Sequence, residues 1–138
     1  MGGAAIDAYG IPIRDEDLAQ AAAADAQKPI VVGTIEDVTG AFTTYGLPVI
    51  KAQELAVKEI NKSGGLLGRQ IKLVVRDSKS DISNYSPFAN ELILNDTIDV
   101  LFAGVLRSSR EALRPILRRH DLLSFYPRYH EGGVLSLL

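Results

Sequence analysis

From residue 30 onwards, short apolar runs alternate with segments whose apolar residues recur at helical spacing. Four of these runs are short, and rich enough in β-branched or aromatic residues, to be strands. The predicted strands are Ile30 to Ile35, Ile71 to Arg76, Ile98 to Phe102 and Leu122 to Tyr126. Strands that alternate with helices favour a parallel sheet covered on both faces, so the sequence predicts an α/β fold.

Three helices are predicted within this alternation. The first runs from Leu47 to Ser63 and is followed by the pair Gly64–Gly65, which suits a left-handed C-terminal cap. The second passes through the apolar residues between positions 85 and 93. The third is expected to begin at Ser108, because Ser108 with Glu111 three residues later is a capping-box pattern.

Length and composition indicate one globular domain. The chain has 138 residues, of which 46% are hydrophobic and 23% charged. Its net charge of −2 supplies no overall basic field, so no nucleic-acid partner is predicted. No apolar stretch approaches the roughly 18 to 20 residues that a membrane-spanning helix needs, and we expect no membrane insertion of this chain. A leader with a basic start and a sustained apolar run is not visible.

The residues that would carry catalysis, a cofactor or a metal are missing from the pattern. Cysteine is absent, and His120 and His130 lack the spacing of a metal site. The glycine-rich run from Gly64 to Gly68 follows a helix and precedes a strand, which is the reverse of a dinucleotide-binding loop. We therefore predict a non-enzymatic protein with no catalytic residue, cofactor or metal.

Function is expected beyond the carboxyl ends of the strands, where ligands bind in open parallel sheets. Four segments lie there: Glu36 to Tyr45, Asp77 to Asn84, Ala103 to Ser109 and Tyr126 to Glu131. In these loops Arg107 and Arg128 suit forked hydrogen bonds to a carboxylate, and Tyr126 and Tyr129 suit aromatic walls. Solvation of the loops is the alternative role for the arginines. For Asp77, turn capping is favoured over contact with a ligand ammonium group.

The stretch IVVGTIEDVTGAFTTYGLPVIKAQELAVKEINKSGGLLGRQIKLVVRDSKSD resembles the opening of type I periplasmic solute-binding proteins of the amide, urea and branched-chain amino acid group. The later segments IDVLFAG, SSREALRPIL and FYPRYHEGG are similar to the amide and urea branch. This resemblance covers Pro29 to about Gly133. It implies a Rossmann-like, three-layer αβα lobe, hinged to a second lobe. It also implies that the lobe holds a small polar solute and delivers it to the permease of an ABC transporter.

Carried over residue by residue, the resemblance places ligand contacts in the loops after the third and fourth strands. The implied contacts are Val105, Leu106, Arg107, Tyr126, Pro127 and Arg128. Thr39, Tyr45 and Ser108 complete the predicted set, with loop packing as the alternative for Tyr45 and helix capping as the favoured role of Ser108. Relatives tend to have a tyrosine and a serine or threonine where this chain has Val105 and Arg107, and a tyrosine where it has His130. Arg107 together with Arg128 favours a carboxylate ligand over a neutral amide.

The resemblance also implies a second lobe that this sequence does not contain. We expect a chain truncated before that lobe, with a lead-in at 1–28 that includes a short helix from Asp15 to Ala24, the N-terminal ligand-binding lobe at 29–133, and a tail at 134–138. Because the missing C-terminal lobe would supply half of the cleft, weak or undetectable solute binding is predicted. A periplasmic transport component is the first interpretation. A ligand-sensing domain of an amide-responsive regulator or receptor, with a cytoplasmic location, is the alternative, and an α/β enzyme is less favoured.

Overall fold

The computed structural model describes residues 14–128. Four helices are present in this range: α1 (Asp15–Gln27), α2 (Thr43–Lys62), α3 (Tyr85–Leu94) and α4 (Arg107–Arg119). They alternate with the strands β1 (Ile30–Glu36), β2 (Ile71–Asp77), β3 (Val100–Ala103) and β4 (Ser124–Phe125), and a 3₁₀ turn at Ile82–Asn84 leads into α3. The predicted helix in the lead-in is confirmed as α1, and it continues to Gln27.

The four strands form one parallel sheet in the order β2-β1-β3-β4. Ile30 of β1 pairs with Ile71 of β2, and Val32 of β1 pairs with Val100 of β3. All four predicted strands are confirmed, although β3 begins at Val100 and β4 is limited to Ser124–Phe125. β4 lies at the edge of the sheet, and Leu123 and Phe125 are exposed. Little packing therefore stabilises a longer strand at this edge.

Helices cover both faces of the sheet, which gives the predicted three-layer αβα arrangement. Successive side chains of β1 point to opposite faces, and Ile35 points towards α3 and α4. The core on that face consists of buried side chains: Ile35, Tyr85, Ala89, Leu92, Ile98, Leu101, Ala103 and Leu113. Helix α2 lies on the opposite face, where Val32 and Leu73 line a groove with residues of α2. None of the helices in residues 14–128 is long and apolar enough to cross a membrane.

Helix α2 begins at Thr43 and not at the predicted Leu47. The prediction was wrong because Gly46 and Pro48 usually disfavour a helix interior. In the structure Gly46 is needed inside the helix, since a Cβ atom there would lie 2.3 Å from the carbonyl oxygen of Asp37. The predicted end of the helix is confirmed: the N–H of Gly65, at a φ of 84°, donates to the carbonyl of Ile60.

The capping box predicted for α4 is also wrong. The helix begins at Arg107, its N-cap is Leu106, and no side chain caps it. The hydroxyl of Ser109 donates to the carbonyl of Leu106, while Glu111 is held by Arg110 and Arg114. Glu111 is therefore engaged in ion pairs on the helix surface and does not form the hydrogen bond that a capping box requires. As a result, main-chain N–H groups at the start of α4 have no side-chain acceptor.

Candidate functional site at the carboxyl edge of the sheet

The loops after all four strands meet at one edge of the sheet because the strands are parallel. β1 lies between β2 and β3 in the sheet, and the helix that follows β1 covers the opposite face from the helices that follow β2 and β3. The direction of winding therefore reverses between β1 and β3. A crevice opens at such a point in doubly wound sheets, which makes the loops after β1 and β3 the centre of the candidate site.

Asp77, at the end of β2, ties the first two loops together. Its Oδ1 accepts hydrogen bonds from the main-chain N–H groups of Val38 (3.0 Å), Thr39 (3.1 Å) and Lys79 (2.9 Å), and its Oδ2 accepts from the hydroxyl of Thr39 at 2.6 Å. Partial burial opposes ionisation, but these bonds outweigh it, so the pKa of Asp77 lies below its ordinary value. The predicted turn-capping role of Asp77 is confirmed.

Glu36 and Arg128 join the loop after β4 to the end of β1. Glu36 is fully buried, and its Oε2 lies 3.4 Å from Nη2 of Arg128. The same Nη2 donates to the carbonyl oxygen of Tyr45 at 2.6 Å, so three segments of the edge meet at one guanidinium group. Burial raises the pKa of Glu36 to about 7, although the charge and hydrogen bond of Arg128 oppose the rise.

Three buried polar atoms in these segments have no hydrogen-bond partner within the described residues. They are Oε1 of Glu36, Oγ1 of Thr34 and Nε of Arg128. Thr34 and Glu36 share a face of β1, because they are two residues apart on a strand. The described residues therefore leave this polar cluster incompletely satisfied, and a water molecule, an ion or a ligand would be needed to complete it.

Asp37 points to the other face of the sheet and lies at the base of a pocket. It is 2% exposed, and its Oδ1 accepts hydrogen bonds from the hydroxyls of Ser78 and Tyr85, the latter at 3.1 Å. Burial is the main reason that the pKa of Tyr85 is raised to about 12, so Tyr85 remains a donor. The pocket has a volume of about 170 Å³ and is lined by Asp37, Ser80, Ile82, Tyr85, Leu106, Ser108 and Ser109.

Most of the nine predicted ligand contacts lie at this edge in the structure. Leu106 and Ser108 line the Asp37 pocket, and Arg107 is exposed at the start of α4. Tyr126 donates to the carbonyl of Val105 at 3.2 Å, and its ring lies 5.2 Å from the guanidinium carbon of Arg110. Their contacts with a ligand stay a prediction.

The other predicted contacts are divided between the edge and a groove. Thr39 is bound to Asp77, and Tyr45 is 59% exposed while its carbonyl binds Arg128. Pro127 lies apart from them, because it lines the groove beneath α2. Tyr129 and His130 lie outside the described residues.

Sequence reasoning did not single out Glu36 and Asp37 as site residues. The available signal was an acidic pair directly after a buried strand, at the edge where ligands bind. Their roles depend on partners far along the chain: Glu36 is 92 residues from Arg128, and Asp37 is 48 residues from Tyr85. No local pattern contains that information.

A larger cavity lies between α2 and the sheet, with a volume of about 460 Å³. Its walls are apolar except for Gln53, and they comprise Val32, Val49, Ala52, Gln53, Ala56, Val57, Ile60, Ile71, Leu73, Phe102 and Pro127. We call this cavity the apolar groove. It offers a polar solute almost no hydrogen-bonding partner, so the carboxyl edge remains the candidate site.

The chain matches a family model described as a periplasmic binding protein domain over residues 30–136. Among curated proteins it is similar to the Leu/Ile/Val-binding protein BraC3 of Rhizobium johnstonii. The two are 34% identical over 102 residues, which cover 74% of this chain and 28% of that protein.

Solved structures show the same relationship. One is described as a branched-chain amino acid ABC transporter from Silicibacter pomeroyi (30% identity, TM-score 0.64), and the match covers 70% of this chain and 24% of that chain. Another is the branched-chain amino acid transporter substrate-binding protein LivJ from Streptococcus pneumoniae in complex with isoleucine (22% identity, TM-score 0.66). That match covers 72% of this chain and 30% of the other. The chain thus spans less than a third of the length of these proteins. Since the family model matches most of its residues, the chain belongs to the periplasmic binding protein family, type I.

Proposed function

We propose that this chain is the ligand-binding lobe of a substrate-binding protein that delivers a small polar solute, of the amide, urea or amino acid kind, to the permease of an ABC transporter. The observation that carries the proposal is the polar crevice at the carboxyl edge, where a pocket of about 170 Å³ is lined by Asp37 and by residues at the start of α4. The names of the relatives, which refer to leucine, isoleucine and valine, support an amino acid more directly than an amide or urea.

The start of α4 supplies the chemistry for one end of such a solute. Its N-cap residue, Leu106, makes no side-chain capping bond, and Ser108 of the first turn lines the pocket. Main-chain N–H groups at a helix start, together with the positive end of the helix dipole, favour a carboxylate or an amide oxygen. The proposed role is non-enzymatic, since binding and release of a solute make and break no covalent bond.

Several further parts of the proposal follow from the family. We propose that residues 29–133 form the lobe, with 1–28 as a lead-in and 134–138 as a tail, and that the protein acts in the periplasm. A second lobe would close over the carboxyl edge. Because one lobe supplies roughly half of the contacts, binding to this chain is expected in the millimolar range.

Titration of the ¹⁵N-labelled chain, followed by amide chemical shifts, tests the proposal. Leucine, propionamide and urea are added separately, with glucose as a solute of a different class. We expect at least one of the first three to shift amides of the loops at 37–42, 78–84 and 104–109. If none of them shifts these loops, or if the shifts cluster in the apolar groove, the proposal is wrong.

A matched pair of variants assigns the shifts to the site. Tyr45→Ala removes a side chain that is 59% exposed at the edge, and Leu67→Ala removes one that is 88% exposed in the turn after α2. Neither exposed side chain contributes much to the core, so both variants should fold. We expect Tyr45→Ala to weaken solute binding severalfold and Leu67→Ala to leave it unchanged.

A further inference from the structure

We propose that the amino edge of the sheet, opposite the candidate site, binds the surface of an anionic membrane through the turn between α2 and β2. We call residues 63–70 the leucine turn, because Leu66 and Leu67 lie in its middle. The contact is with the head-group layer of the bilayer and needs no segment that spans it. This inference does not depend on the proposed function, since it uses the other end of the lobe.

The leucine turn holds an apolar side chain in an unfavourable backbone conformation. Leu66 and Arg69 exchange two main-chain hydrogen bonds, of 2.8 and 2.9 Å, and between them Leu67 and Gly68 have φ values of 53° and 76°. Two positive φ values are typical of a type I′ turn, in which glycine, asparagine and aspartate are the usual residues. A leucine there carries backbone strain. Because Leu67 is 88% exposed, packing within the described residues does not compensate this strain, which favours a contact outside the chain.

The turn also projects from the body of the lobe. A Cβ atom added at Gly64 or at Gly68 would have no heavy atom within 4 Å. Leu66, beside Leu67, is 49% exposed. Two leucines at a projecting tip can enter the interface of a bilayer while the fold stays unchanged. They would bury far less than the roughly 1,200 Å² of a stable protein–protein interface, so the tip suits a lipid surface better than a protein partner.

The charges around the turn have the sign that an anionic surface attracts. The segment 60–72 contains no aspartate or glutamate, although the whole chain has a net charge of −2. Its basic residues are Lys62 at the end of α2, Arg69 in the turn and Lys72 in β2. Lys62 and Lys72 are exposed, whereas Arg69 donates to main-chain carbonyl groups just before β1. Basic residues beside apolar ones are the composition that binds anionic lipid surfaces.

The end of α4 brings a second apolar and basic group to the amino edge. An open cavity of about 310 Å³ is lined there by Leu117, Arg118, Asp121, Leu122 and Leu123. Leu123 is 62% exposed. Arg118 suits a lipid phosphate group, while the charge of Asp121 opposes one. The leucine turn is therefore the main contact, and the end of α4 is a secondary one.

Cosedimentation of the complete 138-residue chain with lipid vesicles tests the proposal. Vesicles that contain phosphatidylglycerol and phosphatidylcholine are compared with vesicles of phosphatidylcholine alone. We expect the anionic vesicles to bind at least about tenfold more tightly, and this preference to decrease as the ionic strength is raised to about 0.15 M. Inorganic phosphate, at the phosphate concentration of the lipid, should not displace the chain. Equal binding to both vesicles, or displacement by inorganic phosphate, would overturn the proposal.

Two matched pairs of variants assign the contact to the turn. We expect Leu67→Ser to weaken vesicle binding by about tenfold, and Leu55→Ser, at a 56% exposed position of α2, to leave it unchanged. Lys62→Gln should weaken binding by about fivefold. Its control is Lys51→Gln, eleven residues earlier in α2 and so about 16 Å farther from the edge. If Leu67→Ser binds as tightly as the unmodified chain, the leucine turn is not the contact and the proposal is wrong.

A fluorescent label reports whether the tip enters the bilayer interface. Since the sequence contains no cysteine, Leu67→Cys and Leu55→Cys each provide one site for a nitrobenzoxadiazole label. On anionic vesicles we expect the emission to shift to shorter wavelength for the label at position 67 and to stay unchanged at position 55. An unchanged emission at position 67 in vesicle-bound protein would contradict the proposal. Neither result affects solute binding at the carboxyl edge, so this inference and the proposed function can fail separately.

Discussion

The carboxyl edge and the apolar groove are both concave, but they differ in size and in chemistry. The groove is the larger, at about 460 Å³ against about 170 Å³ for the Asp37 pocket, and its walls hold one polar side chain, Gln53. The edge holds two buried carboxyl groups, Glu36 and Asp37, with hydrogen bonds that link all four loops. Volume alone would select the groove, while the placement of polar groups selects the edge for a polar solute.

The edge and the groove also differ in what they contribute to the stability of the fold. Burial of Glu36 opposes the ionisation of its carboxyl group although Arg128 favours it, and buried ion pairs of this kind are weak sources of stability. The groove carries no buried charge and is governed by apolar packing. We therefore expect changes at the edge to alter the conformation and the pH dependence of the chain, and changes in the groove to be tolerated.

The largest expected effect is at Gly46, where α2 packs on the loop after β1. In Gly46→Ala the new methyl group would lie 2.3 Å from the carbonyl oxygen of Asp37 and 2.6 Å from its carbonyl carbon. Main-chain atoms cannot move aside as a side chain can, so we expect a loss on the order of 4 kcal/mol in guanidinium denaturation.

Gly64→Ala is the control for Gly46→Ala. Gly64 has a φ of 103° and no atom within 4 Å of an added Cβ. It should lose only about 1–2 kcal/mol, from backbone strain. Similar losses in the two variants would show that the edge is no more tightly packed than an open turn.

The second effect is a pH dependence that arises from Glu36. Because the folded chain raises the pKa of this group from 4.5 to about 7, its contribution to stability is present below the ordinary pKa and is lost as the pH rises through about 7. We expect the free energy of unfolding to fall by up to about 3 kcal/mol over that interval.

Glu36→Gln should abolish this fall, and the exposed Glu59→Gln should keep it. The measurement is guanidinium denaturation at a series of pH values on the three proteins. A Glu36→Gln profile parallel to that of the unmodified chain would mean that Glu36 titrates normally.

The smallest effect compares one alanine of the closed face with one of the groove. Ala89 is fully buried against the core, whereas Ala56 lines the apolar groove and is exposed. We expect Ala89→Leu to lose about 2 kcal/mol through overpacking and Ala56→Leu to stay within about 0.5 kcal/mol of the original stability. Thermal or chemical unfolding of both variants checks this, and an equal loss in Ala56→Leu would show that the groove is closed.

The fold was largely predictable because its signal is local. Runs such as Ile71 to Arg76, separated by amphipathic segments, identify strands and helices without knowledge of any partner. The errors fall where a tertiary contact overrides a local preference. Glycine usually disfavours a helix interior, but α2 contains Gly46 because the close approach to Asp37 leaves no room for a Cβ atom at that position. Glu111 completes a capping-box pattern, but Arg110 and Arg114 hold it away from the helix start.

The candidate site was predictable at the level of loops and less so at the level of contacts. The rule that ligands bind beyond the carboxyl ends of parallel strands selects this edge from element order alone. Whether Arg128 binds a ligand or forms an ion pair with Glu36 depends on the position of β4 beside β3 in the sheet. The sequence around either residue contains no pattern that predicts this pairing. Asp37 is similar: its pocket exists because the 3₁₀ turn and the start of α4 meet across the loop after β1.

The central position of β1 in the sheet also affects the rate at which the chain can fold. Ile30 pairs with Ile71, and Val32 pairs with Val100. Each pairing closes a long loop of chain, and the conformational entropy lost in closing the loop is compensated only after the hydrogen bonds between the strands have formed. Such non-local pairing makes folding slower than in a helical bundle of the same length. During synthesis the apolar β1 is made before β2 and β3, and it stays unpaired until they follow, which is a state in which exposed apolar strands are prone to aggregate.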